Sequence, residues 1–241
     1  MEATTSGLIP DFEFIETFHR RWMSIVEVYT QCALTKQEDK LVALSGLVTR
    51  IKSAVFPQAL GASQSDPYIL GLWHISLSLD LLWITDHVAS LSPTIDNIPS
   101  WTWASKNRSV SSLARRHEIF KHSGPISTWP STVSIEPFRY NNEHSLLVLI
   151  GALVEIKRTS QGPDNKIKHD GSRAIMTYYF DSGAYKSLAF CFLPFFVNEG
   201  FCVGLLVAPM DDRKWQRIGV AWGRNDCGWM TDLPKIVVEI L

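Results

Sequence analysis

No stretch of this sequence is both long and apolar enough to cross a bilayer. The most hydrophobic run, 188–197, is short and contains Pro194, and Asn198-Glu199-Gly200 interrupts before the next one. The N-terminus, Met1-Glu2-Ala3-Thr4-Thr5-Ser6-Gly7, lacks the basic region and following apolar run of a signal or transit peptide, so the expected location is the cytoplasm. Excess charge is missing as well. Lys plus Arg number 23 against 24 Asp plus Glu, a net charge of -1, which removes the electrostatic case for non-specific nucleic-acid binding. Only four cysteines occur (Cys32, Cys191, Cys202, Cys227), with no C-x-x-C, and they read as reduced core thiols. There is no G-x-G-x-x-G, P-loop, G-x-S-x-G elbow or H-E-x-x-H, so no cofactor is expected. His117-Glu118 and His122 place their imidazoles on different sides of a helix, and Asp80, Asp86 and Asp211-Asp212 do not form an aspartate-rich magnesium cluster. No metal is expected either.

What is present is a globular chain of 241 residues, 46% of them hydrophobic and 20% charged, which excludes general disorder. At this length roughly 70–75% of the unfolded surface is hidden on folding, and neither disulfides nor a structural metal is needed. Phe14, Phe18, Trp22, Ile25, Val26 and Tyr29 follow the three-and-four spacing of a helix over about 11–31. Thr35 and Glu38 form a capping box that starts a second helix running to Val55, with Pro57 and Gly61 ending it. Ser65-Asp66-Pro67 reads as the start of a third, with Tyr68, Leu72, Ile75, Leu79 and Leu82 as its stripe. From Pro99 onward short β-branched and aromatic runs alternate with turn residues. They predict strands at 101–104, 132–138, 145–157, 174–180, 187–193, 201–207, 215–222 and 236–240. The expected fold is α+β: a helical part over 1–98 packed on an antiparallel sheet, barrel-like in its fullest form, over 99–241, the two making one integrated domain.

Nine tryptophans are the most unusual feature. Trp101 and Trp103, two apart, would face one side of a strand, and Trp73 and Trp83 lie on or at the end of the third helix. A helix-to-sheet core explains such indoles without any ligand. The functional alternative is an apolar substrate pocket with Trp73, Trp83, Trp101 and Trp103 as walls. In that reading His74 or His87 polarises a carbonyl or hydroxyl, and Asp80 or Asp86 orients the imidazole; taken singly, each of these polar residues is more often an exposed or capping group.

Several strings carry a family resemblance: Trp22…Val26…Tyr29; Leu34-Thr35…Asp39-Lys40-Leu41…Leu44-Ser45-Gly46; Tyr68-Ile69-Leu70-Gly71-Leu72-Trp73…Leu81-Leu82-Trp83; and Pro99-Ser100-Trp101-Thr102-Trp103-Ala104-Ser105. Together with Gly204-Leu205-Leu206 and Trp215-Gln216-Arg217-Ile218-Gly219, they resemble the C-terminal region of fungal heterokaryon-incompatibility (HET) proteins over about 18–222. His74-Ile75-Ser76-Leu77 departs from the acidic turn usual after Gly-Leu-Trp, and Lys106-Asn107-Arg108 replaces the usual Asp-Gly loop. The family's N-terminal effector domain has no counterpart in the sequence, so none of its residues carries over.

Two functions follow as expectations. The first is a cofactor-free cyclase or isomerase of fungal specialised metabolism, closing an apolar terpenoid or polyketide substrate by, for example, a pericyclic [4+2] step. The second is a non-catalytic HET-like interaction module in allorecognition, with a second copy or a HET-like protein as partner.

Overall fold

The computed structural model describes residues 12–32, 36, 39–57, 66–85, 98–113, 131–135, 146–158, 166–168, 175–181, 189–198, 200–211, 214–224 and 227–241. It is a mixed α+β structure with an antiparallel-rich sheet. Among the described residues no helix is long and apolar enough to cross a membrane.

The first helix, α1 (Phe12–Gln31), forms as the periodicity predicts. Its buried residues are His19, Trp22, Met23, Val26 and Thr30, at the three-and-four spacing of one face. That face is rotated from the predicted stripe, and Phe14 is exposed. The second predicted helix is two pieces, α2 (Lys40–Ala43) and α3 (Ser45–Val55), with a break at Leu44; Thr35 and Glu38 lie outside the described residues.

The predicted third helix is a correction. Leu70 and Gly71 both have positive φ, 46° and 99°, and turn the chain into a two-residue hairpin of β1 (Tyr68–Ile69) and β2 (Leu72–Trp73). A 3-10 turn over His74–Ser76 and a single helical turn, α4 (Leu77–Asp80), follow, and then β3 (Trp83–Thr85). The segment from Gly71 to Thr85 is buried at almost every position, so its apolar residues match a helical stripe without specifying one. The strand predicted over 101–104 is also corrected. These residues form a turn and a 3-10 helix, Trp103–Ser105, with Thr102 Oγ1 accepting from the Ala104 N–H. Trp101 and Trp103 therefore do not share a strand face.

The remaining strands are β4 (Val110–Ser112), β5 (Ser134–Ile135), β6 (Leu147–Gly151), β7 (Val154–Glu155), β8 (Lys157–Arg158), β9 (Lys166–Lys168), β10 (Ile175–Phe180), β11 (Cys191–Asn198), β12 (Phe201–Pro209), β13 (Lys214–Arg224) and β14 (Ile236–Ile240). The later ones fall where the β-branched runs predicted them, with edges shifted by a few residues. β13 is the spine. One edge pairs with β12, while the other holds β14 in parallel at its start and β10 antiparallel in its second half. β3 and β4 form a separate pair.

β12 is buried on both faces, which explains its unbroken apolar run. Phe201, Val203, Leu205 and Val207 join a cluster with Trp22, Val26, Trp73, Trp83 and Leu147, while Cys202, Leu206 and Ala208 join a second with Met176, Phe192 and Met230. The first cluster unites residues from both halves of the chain. Where β12 and β13 shift register, between Leu206 and Val207, Leu206 opposes Gly219 and Val207 opposes Arg217, so Ile218 is the extra residue. The bulge returns Arg217 to the helix-bearing side, where a regular strand would have put Ile218.

Candidate functional site

Three side chains distant in sequence meet where α1 crosses β4. His19 Nδ1 lies 2.6 Å from Asp80 Oδ1, and His19 Nε2 lies 3.1 Å from Ser112 Oγ. The order serine, imidazole, carboxylate is that of an acyl-transfer triad. With the proton on Nδ1 donated to Asp80, Nε2 is left to accept the Ser112 hydroxyl proton. Asp80 is further held by the Trp73 backbone N–H on Oδ2 at 2.8 Å and by the Ser76 hydroxyl on Oδ1 at 3.0 Å. These bonds close the 74–80 turn onto its own carboxylate.

The same geometry argues against an accessible nucleophile. His19 is 2% exposed, and Asp80 and Ser112 are wholly enclosed. The N–H of Leu113, the amide after the serine that elbow-type hydrolases aim at an oxyanion, donates instead to the Leu82 carbonyl at 3.0 Å. Thr30 Oγ1 also accepts from the Val110 N–H at 2.9 Å, so α1 is tied to β4 at two points.

A second polar cluster lies under β3. Arg217 donates to Asp181 and, at 2.6 Å, to the Trp83 carbonyl, while its guanidinium carbon stands 3.4 Å from the centre of a Trp83 ring. Burial pushes the Asp181 carboxyl up and the Arg217 and Lys106 charges pull it back. Burial likewise lowers Lys106, partly countered by Asp181. Lys40 is buried against α1, donates to the Lys106 carbonyl and is lowered by burial to about 8.

The indoles expected to wall a pocket are all inside. Trp73, Trp83, Trp101 and Trp103 have no exposed surface. The Trp83 N–H donates to the Trp101 carbonyl at 3.0 Å. Trp103 and Trp22 both donate to the Gly71 carbonyl, at 2.8 and 3.0 Å. Trp73 packs among Phe18, Trp22, Phe56 and Tyr68, with ring centres between 4.9 and 5.6 Å away. The Pro-Ser-Trp-Thr-Trp-Ala-Ser string is a set of ties: Ser100 donates to the Leu241 carbonyl and accepts from the Arg217 N–H, Thr102 donates to the Leu70 carbonyl, and Ser105 donates to the Thr102 carbonyl at 2.8 Å.

Of the predicted polar residues, the structure brings Asp80 to an imidazole, but that imidazole is His19. His74 is exposed in the 3-10 turn, and Asp86 and His87 lie outside the described residues. Among the described residues no group of three or more His, Cys, Asp or Glu side chains could hold a metal ion. His19, Ser112, Asp181 and Arg217 were missed. The available signal was that His19 precedes Trp22 and Met23 by three and four residues and therefore shares their face. No protein-family model, curated protein or solved structure matches the chain.

Proposed function

We propose that this chain is a non-catalytic, HET-like interaction module of the cytoplasm whose partner is a HET-like protein. One observation carries the reading: the indole-rich strings that give the resemblance are spent on internal ties. Gly71, Trp103, Thr102, Ser100 and Leu241 tie the β1–β2 hairpin, the Trp103–Ser105 turn and Leu241 to one another. Preorganisation of that kind serves recognition, because a surface already fixed loses little entropy on binding. A cyclase with Trp73, Trp83, Trp101 and Trp103 as walls needs those rings to face a substrate. Here Trp73 packs among Phe18, Trp22, Phe56 and Tyr68, Trp83 lies against Arg217, and the Trp83 and Trp103 N–H groups are taken by backbone carbonyls.

We also read the sheet as curling toward a barrel. The segment 154–158 pairs at its start with β11 and at its end with β9, and β10 carries the pairing back to β13. The test of function is a calorimetric titration of the purified chain into a full-length HET-like protein. Saturable binding at micromolar concentration or below supports the module, and no heat of association up to the solubility limit refutes it.

A second reading rests on the Ser112–His19–Asp80 geometry: a serine acyl-transfer enzyme. A fluorophosphonate probe separates the two, because labelling of Ser112 that disappears in His19→Ala supports the enzyme. Absence of label from the folded chain supports the module.

A further inference from the structure

β6 and β14 are apolar on both sides, but only one side is covered. In their antiparallel pairing Leu147 lies opposite Ile240 and Leu149 opposite Val238, and all four are buried in the first core cluster. The alternate pairs point the other way: Val148 opposite Glu239, and Ile150 opposite Val237. Val148 and Ile150 are half-buried, Val237 is 58% exposed, and none of the three belongs to either core cluster. An antiparallel sheet with one face in water alternates apolar with polar residues. Here the outward positions are apolar as well, which is the pattern of a face that meets another protein surface.

The charges around this face say which surface it meets. The alternation that turns Val237 and Glu239 outward reaches back to Lys235, which is exposed. Along the face the strand therefore reads Lys235, Val237, Glu239, with opposite charges two residues to either side of the valine. Among the described residues neither charged side chain makes an ion pair. On the neighbouring strands Ser134 lies beside Ile150, and Lys214 beside Glu239. A strand charged in this way is complementary to itself when reversed.

We propose that a second copy of this chain packs on the outward face of β6 and β14, about a two-fold axis through Val237. Val237 then meets Val237 of the copy, and each Lys235 meets the copy's Glu239. Sheets stacked face to face stand ~10 Å apart with strand directions within about 30° of each other, a gap that a lysine and a glutamate reaching from opposite sides span. A copy laid in the same direction would set lysine on lysine and glutamate on glutamate, so the charges select the reversed arrangement. The contact is isologous and closes at two copies. It does not depend on the binding of a HET-like protein.

Sedimentation equilibrium of the full chain tests this. The wild-type chain is expected to reach twice the monomer mass at micromolar concentration, with association weakening as salt rises. Val237→Asp and Lys235→Glu, both at exposed positions, should raise the dimer dissociation constant at least about a hundredfold, because like charges then face each other. Glu239→Lys should do the same. Mixing the Lys235→Glu chain with the Glu239→Lys chain should restore a dimer, since two glutamates on one then face two lysines on the other, and no loss of structure in a variant produces such a rescue. The proposal is overturned if the wild-type chain stays monomeric up to the solubility limit, which leaves the face to a different protein. It is also overturned if Val237→Asp dimerises as the wild type does, or if the two charge variants, each melting as a folded protein, stay apart when mixed.

Discussion

Replacing Asp80 with alanine strips the acceptor from three buried donors at once. The His19 ring N–H, the Trp73 backbone N–H and the Ser76 hydroxyl converge on its two oxygens at 2.6, 2.8 and 3.0 Å. Each buried donor left without a partner costs about 1–3 kcal/mol. With partial relaxation the summed loss is about 3–5 kcal/mol, the lower part of what three such donors allow. Against a total stability of about 5–15 kcal/mol, that is a large fraction. At this chain length it corresponds to a fall in melting temperature of roughly 6–20 °C. Urea denaturation followed by tryptophan fluorescence measures it, with Glu16→Ala, a half-buried position of α1, as control; among the described residues Glu16 pairs with Arg20, four residues on, and its loss should cost about 0.3–0.5 kcal/mol. A cycle of Asp80→Ala with Ser112→Ala should show coupling of about 0.5–3 kcal/mol, since His19 links the two. Asp80→Ala indistinguishable from the Glu16 control would refute the clamp.

Three further outcomes follow from the same structure. Gly71→Ala puts a Cβ 2.7 Å from Trp103 Nε1 at a φ of 99°, so it should destabilise by at least about 1–3 kcal/mol in the same urea assay. Arg217→Met leaves the buried Asp181 without its ion pair and should cost about 3–5 kcal/mol, and adding Asp181→Leu should recover part of that on thermal melting. Lys40 binds its proton less tightly folded, at about 8, than unfolded, at 10.5, so its share of stability grows as pH rises between those values, where the unfolded chain holds the extra proton. The stability of Lys40→Met relative to wild type should therefore be highest below pH 8 and decline toward pH 10.5, and a pH-independent difference would refute this.

The strands from β10 onward were legible because their β-branched and aromatic runs are bounded by turn residues, and in β11, β12 and the second half of β13 nearly every position is buried. Helix α1 was legible from its period, although the buried face was misplaced: Phe14 was counted and His19 was not. The hairpin at Leu70-Gly71 was not legible. Its turn lacks the usual Asn-Gly, and a leucine occupies a left-handed position that only the tertiary ties of Gly71 to Trp22 and Trp103 make worthwhile. The His19–Asp80–Ser112 cluster joins residues 61 and 93 positions apart in sequence, and no local period encodes such a meeting. Arg217 reaches its partners only because a bulge places Ile218 off register, and bulges leave almost no trace in sequence.

The account stands on one claim, that the chain works by binding and that its aromatic strings are internal ties. Calorimetric titration into a full-length HET-like protein tests it most directly. The account predicts saturable association that is retained in His19→Gln, provided that variant melts as a folded protein. No heat of association with the wild-type chain up to the solubility limit would contradict it.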